Sequence, residues 1–167
     1  DGVMVCALLL LCDLIGAVKI IRTRCPEKIE RCAYVCDVGG VYDPSRYRFD
    51  HHQQDYQGPW SSAGMILSYL RDEGFLPSEE YELFNEELVI GIDAIDNGRF
   101  PKPRGYCSFS DVISNFCPIE REVPVDEENA AFMRALRFTV GHLHRLRERY
   151  RYIWSCRDEV ARRMAES

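Results

Sequence analysis

Three groups of acids and imidazoles carry the residue types with which this chain could do chemistry: Asp37, the run Asp50-His51-His52, and the pair Asp93 and Asp96. Carboxylate and imidazole side by side can hold a divalent ion, orient a ligand or move protons. A donor set rich in carboxylate oxygen with an imidazole or two suits a hard to borderline cation such as Mn²⁺ or Mg²⁺, with Zn²⁺ a poorer match. Each group alone is a weak signal, because surface carboxylates are common. Their order, and the elements that must present them, give them weight.

Cys32–Val38 is an apolar run broken only by Asp37, which predicts a strand buried on both faces and ended by Gly39-Gly40. A carboxylate at the exit of such a strand is costly unless something pairs with it. In open α/β sheets that exit lines the ligand crevice. Tyr42–Arg46 reads as a turn and Tyr47–Phe49 as the strand that delivers Asp50-His51-His52. Val18–Arg22 reads as a further strand. Ser61 or Ser62 caps a helix running through Leu70, with Gly74 beyond it. Pro77–Asp96 is a longer helix capped by Ser78. Asp93 and Asp96 lie three apart in its last turn and share a face, where two acids oppose the dipole and call for a cation. Asn97-Gly98 ends it.

The remaining elements supply the core. Val3–Ile15 is apolar on every side except at Asp13, the pattern of a buried helix. Its unbroken apolar run, Val3–Cys12, falls well short of the roughly 20 residues that span a bilayer, and no basic leader precedes it, so no membrane segment is expected. Pro26 opens a short helical turn, and Phe109–Phe116 forms another helix. From Asp126 the chain reads as helix almost to its end, with Phe132, Leu136, Val140, Leu143, Leu146 and Tyr150 at three- and four-residue steps. His142 and His144, two apart, point in different directions and read as structural. The expected fold is α/β, a mostly parallel sheet flanked by helices, with a helical C-terminal extension. The division falls into residues 1–120 and 121–167.

A net charge of −6 argues against a DNA-coating protein. The charge is uneven: residues 134–167 carry nine Arg against four acids, leaving −11 on the rest, which reads as a solvated basic helix face beside an acidic body. The eight cysteines sit largely in apolar runs with no Cys-x-x-Cys pair, fitting reduced core residues in a cytoplasmic protein.

Taken in order, Ile21-Arg22-Thr23-Arg24, Asp37 to Pro44, Arg48-Phe49-Asp50-His51-His52-Gln53, Ser61-Ser62-Ala63-Gly64 and Asp93-Ala94-Ile95-Asp96-Asn97-Gly98 resemble the DHH phosphoesterase superfamily, and within it the melanocyte-proliferating-gene (MYG) exonuclease family. The resemblance spans most of residues 1–100 and loosens beyond. It implies a two-metal site, Mn²⁺ or Mg²⁺, in which Asp37 bridges the ions, His51 ligates the second and Asp96 completes that ion's shell. Asp93 supports Asp96 or replaces it. His52 faces the substrate phosphate, and Asp50 orients the histidines. Arg22, Arg24, Ser61 and Ser62 are implied substrate contacts. The implied activity is phosphodiester hydrolysis by metal-activated water, an exonuclease on RNA or short oligonucleotides. Two alternatives are a small-molecule phosphohydrolase of pyrophosphatase or nucleotide-phosphatase type, and a degenerate relative that binds nucleic acid or a protein partner.

The chain departs from the family pattern in three places. The family's Phe-His-x-Asp-Glu motif, which supplies ligands to the first metal, has no counterpart where Asp1-Gly2 runs into Val3, and a further segment is expected between them. A second domain that closes over substrate is expected beyond residue 167. Cys25 stands where the family carries an acid. The long C-terminal helix also offers a homodimer contact.

Overall fold

A helix apolar on every side has to be enclosed. In the computed structural model, which describes residues 1–101, 103–120 and 122–166, that stretch forms the central helix α1 (Gly2–Leu11), with Met4, Val5, Ala7, Leu8, Leu9 and Leu11 buried. Two helices pack on it, α3 (Ser62–Asp72) and α7 (Val125–Ala165). It ends short of the expected Ile15 because Asp13 takes a left-handed φ of +57° just after the Cys12 cap. Gly2 passes directly into Val3 within its first turn.

The sheet corrects the expectation. Three short strands, β1 (Val35–Cys36), β2 (Tyr42–Asp43) and β3 (Arg48–Phe49), lie in the order β1-β3-β2. β1 runs parallel to β3 and β2 antiparallel to it, so the sheet is small and mixed rather than mostly parallel. The run Cys32–Val38 yields only two paired residues, because Asp37 at φ +61° turns the chain out of extension at once. Val18–Arg22 forms no strand: Ala17–Lys19 is a single 3-10 turn, and Val18 stands 96% exposed with no sheet edge beside it. Tyr42–Asp43, expected in a turn, pairs as β2, and the reversal follows at Pro44–Arg46.

The helices follow their periodic stretches more closely. α2 (Pro26–Glu30) is the expected proline-led turn. The expected helix over Pro77–Asp96 is α4 (Ser78–Phe84), one π-helical turn (Asn85–Val89) and α5 (Ile90–Asp96). Pro77 takes its N-cap position and Ser78 makes no capping bond. α6 (Phe109–Ser114) starts at a capping box of Ser108 and Asp111. The 41 residues of α7 reach about 60 Å at 1.5 Å per residue. Ala131, Ala135, Leu136, Thr139 and Leu143 are its buried side. Arg147 and Arg151 clamp the buried Glu80 of α4 at 2.7 and 2.6 Å. Beyond them Tyr152, Ile153, Trp154, Val160 and Met164 stand exposed. The boundary expected at 120/121 meets Arg121, and the end of the extension meets Ser167; both lie outside the described residues. Among the described residues no helix is long and apolar enough to cross a membrane. The eight cysteines are free thiols.

Candidate metal centre

The parallel strands β1 and β3 end side by side, and their next residues are Asp37 and Asp50. Asp37 N–H donates to the Phe49 carbonyl at 3.0 Å, which holds the two exits together. Asp50 is buried, 1% exposed, and its carboxylate is fully used. Oδ2 accepts from the Gly40 N–H at 2.6 Å, and Oδ1 from the His51 and His52 N–H groups at 2.8 and 3.2 Å. Gly40 has φ +66°, a conformation glycine adopts without strain, and this aims its N–H at Asp50. The His52 Nδ1 lies 2.6 Å from Asp50 Oδ1 and, since a carboxylate only accepts, donates to it. Burial pushes the Asp50 carboxyl up, but the bonds from His52 and Gly40 outweigh it and hold the carboxyl below its ordinary value. The same bond to Asp50 raises the His52 imidazole. Asp50 is thus an orienting group, and the half-exposed ring of His52 faces outwards.

His51 is the pivot. Asn97, the C-cap of α5, donates its Nδ2 to the carbonyls of Pro59 (3.2 Å) and Asp93 (2.9 Å), which turns Oδ1 towards His51 Nδ1 at 3.3 Å. That oxygen can only accept, so the His51 proton sits on Nδ1 and the Nε2 lone pair is free. Nε2 is buried and makes no hydrogen bond. It nevertheless lies 2.9 Å from Asp96 Oδ2 and 3.9 Å from both Asp1 Oδ2 and Asp37 Oδ1. A lone pair ringed by three carboxylates can share a cation with them. The 2.9 Å spacing fits adjacent ligands of one octahedral ion, which lie about 3 Å apart at Mg²⁺-type bond lengths. The atoms of Asp1, His51 and Asp96 form one set able to hold a metal, and those of Asp37, Asp50, His51 and His52 a second. Burial pushes the Asp37 carboxyl above its ordinary value, with Asp96 adding to it. The residues present therefore fit a divalent ion.

The amino end of α3 fixes the carboxylates behind this ring. Asp1 accepts from the N–H groups of Ser62 (3.0 Å) and Ala63 (2.8 Å). Asp93 Oδ1 accepts from those of Ser61 (2.9 Å) and Gly64 (3.1 Å). Two carboxylates so satisfy the orphan donors of one helix start. Ser61 Oγ lies 2.6 Å from Asp93 and 2.9 Å from Asp1, its single proton serving the nearer. Asp93 is thereby placed in neither metal-holding set and supports the site from behind.

The family model MYG1_exonuc, described as "Uncharacterised protein family (UPF0160)", matches residues 1–167. The chain belongs to the MYG1 family. It is 53% identical over 160 residues to a "MYG1 protein" of Chlamydia muridarum, covering 96% of this chain and 54% of that protein. The corresponding protein of Chlamydia trachomatis is 52% identical over the same shares. A "MYG1 exonuclease" of Homo sapiens is 36% identical over 122 residues, 59% of this chain and 32% of that protein. The chain thus spans about half the length of these Chlamydia relatives. No solved structure matches it significantly.

Within this MYG1 chain the implied substrate contacts divide. Ser61 and Ser62 are fully buried and hold carboxylates instead of lining open space. Arg22 and Arg24 are exposed and line a groove of about 460 Å³ that also contains Asp37. Cys25, where the MYG pattern has an acid, donates its thiol to Glu27 at 2.7 Å. Two members of the site were not singled out from sequence. Asp1 joins it only because α1 and α3 start together, some 60 residues apart in the chain. Asn97 reads as a helix terminator, yet the Asp-Asn-Gly grouping was the available signal.

Proposed function

We propose that this chain is the metal-binding part of a phosphodiester hydrolase of DHH type, an exonuclease acting on RNA or short oligonucleotides. The observation that carries the reading is the unbonded, buried Nε2 of His51 facing the carboxylates of Asp1, Asp37 and Asp96. The printed name of the human relative, "MYG1 exonuclease", supports the reaction class. Mn²⁺ or Mg²⁺ suits these donors. His51 and Asp96 would hold one ion with Asp1 beside them, and Asp37, in the other donor set, would reach a second. When bound, such ions supply an activated water for attack at phosphorus and positive charge for the transition state.

The chain's own residues do the rest. Asn97 fixes the His51 tautomer, and Asp50 holds the ring of His52 outward as a cation-competent donor towards a phosphate oxygen. Arg22 and Arg24, on the groove wall beside Asp37, offer guanidinium donors to the neighbouring phosphates. The segment from 121 onward leads, on this reading, towards a second domain. The test is release of mononucleotides from an end-labelled oligoribonucleotide in Mn²⁺. The expected result is release that falls at least 100-fold, about 2.7 kcal/mol of barrier, in Asp37→Asn and His51→Ala. Undiminished release in both variants sinks the assignment. Turnover of pyrophosphate or nucleoside diphosphates alone would move it to the small-molecule alternative.

A further inference from the structure

A second cavity, of about 430 Å³, opens beside Asp1 between α1, α6 and α7. That volume is in the range of small-ligand sites and has room for one nucleotide unit. Its lining is mainly apolar and aromatic, with Met4, Ile92, Phe109, Phe116 and Phe132, and the acids Glu120 and Glu128 also line it. On the α7 side the small side chains of Ala131 and Ala135 line it together with Phe132 and Glu128.

Two residues tie this cavity to the metal centre. Asp1 lines it while its carboxylate lies 3.9 Å from His51 Nε2. Arg22 lines both this cavity and the groove that contains Asp37. Its guanidinium sits over the Phe132 ring at 5.3 Å, donates to Asn129 Oδ1 at 3.2 Å and lies 3.8 Å from Glu128. A guanidinium so placed, at the junction of an acid-lined centre and an aromatic pocket, can donate to a phosphate on one side while an apolar ring lies on the other.

We propose that this pocket receives the base of the nucleotide being released, while its phosphate lies at the metal centre. The proposal rests on the nuclease reading above and adds the subsite that would make the substrate a nucleotide and not a bare phosphate ester. Flat aromatic walls accept any base through its π-face, so the pocket grips without reading sequence. Ser110 and Ser114 of α6 add two hydroxyls to the lining.

The test is binding of 2-aminopurine riboside 5′-monophosphate, followed by its fluorescence, with AMP and ribose 5-phosphate as competitors. Ser114 is exposed, so Ser114→Trp fills the pocket mouth with little risk to folding, and Ser110→Trp does the same from the next turn. AMP should compete at least tenfold better than ribose 5-phosphate, and both variants, with unchanged thermal melts, should weaken binding at least tenfold. Equal competition by ribose 5-phosphate, or wild-type binding in both variants, overturns the proposal. Cutting of a ribodinucleotide in Mn²⁺ by the unsubstituted protein is measured beside it. Loss of cutting alone counts against the nuclease reading, and loss of base-dependent binding alone counts against the pocket.

Discussion

His52 and Asp50 are where single residues make a distinct claim. The folded-state pKa of His52 is raised above 6.5 and that of Asp50 is lowered below 3.8, because each holds the other's charged form. The His52 contribution to stability is therefore fully present below 6.5 and fades as pH rises through its folded value. The Asp50 contribution is present above 3.8 and fades as pH falls through its own. Between those limits the pair is charged. His52→Ala should lower the melting temperature more at about pH 5.5 than at about pH 9, by a modest margin since the ring is largely solvated. Equal losses at the two pH values would contradict the pairing. At this scale much of the site was legible. Asp37, Asp50, His51, His52 and Asp96 are chemical types standing at the ends of recognisable strands and a helix. Asp1 and Asn97 were not, because their roles come from what the fold brings to them: the start of α3 in one case and the Nδ1 of His51 in the other.

Among the elements, α3 carries the most consequence, since its first turn anchors both Asp1 and Asp93. A Cβ on Gly64 would run into Asp93 Oδ2 and stand 2.8 Å from the Trp60 ring, so the glycine leaves the space that the carboxylate fills. Gly64→Ala should cost about 1–3 kcal/mol as an overpacking substitution. Gly141→Ala is the control: it is exposed, meets nothing within 4 Å and lies inside α7, so it should gain about 0.5–1 kcal/mol from helix propensity. Chemical denaturation of both variants checks the pair of signs, and stabilisation by Gly64→Ala would refute the packing account. Periodicity exposed α3 and α7 because ten or more residues repeat a pattern, and an unbroken apolar run exposed α1. It could not expose β2, whose two residues carry no period, nor reject Val18–Arg22, whose apolar side chains simply found no edge to join.

At the scale of the whole molecule, one helical core gathers the site. α1 is enclosed by α3 and α7, β3 packs against α3, and the acid-imidazole ring forms where the starts of α1 and α3, the ends of β1 and β3 and the end of α5 meet. That convergence was only partly visible beforehand, because contacts across 40 to 60 residues leave no local trace. Beyond Arg151 α7 carries exposed apolar residues, and the chain spans about half the length of the Chlamydia relatives. The account stands or falls on whether this ring holds a metal. Mn²⁺ titration followed by electron paramagnetic resonance tests that directly, with the unsubstituted protein set against His51→Ala, Asn97→Ala and His52→Ala. Binding should be lost in His51→Ala, weakened about 10–100-fold in Asn97→Ala as for a residue that orients a ligand, and largely kept in His52→Ala. Mn²⁺ binding by His51→Ala equal to that of the unsubstituted protein would contradict the account.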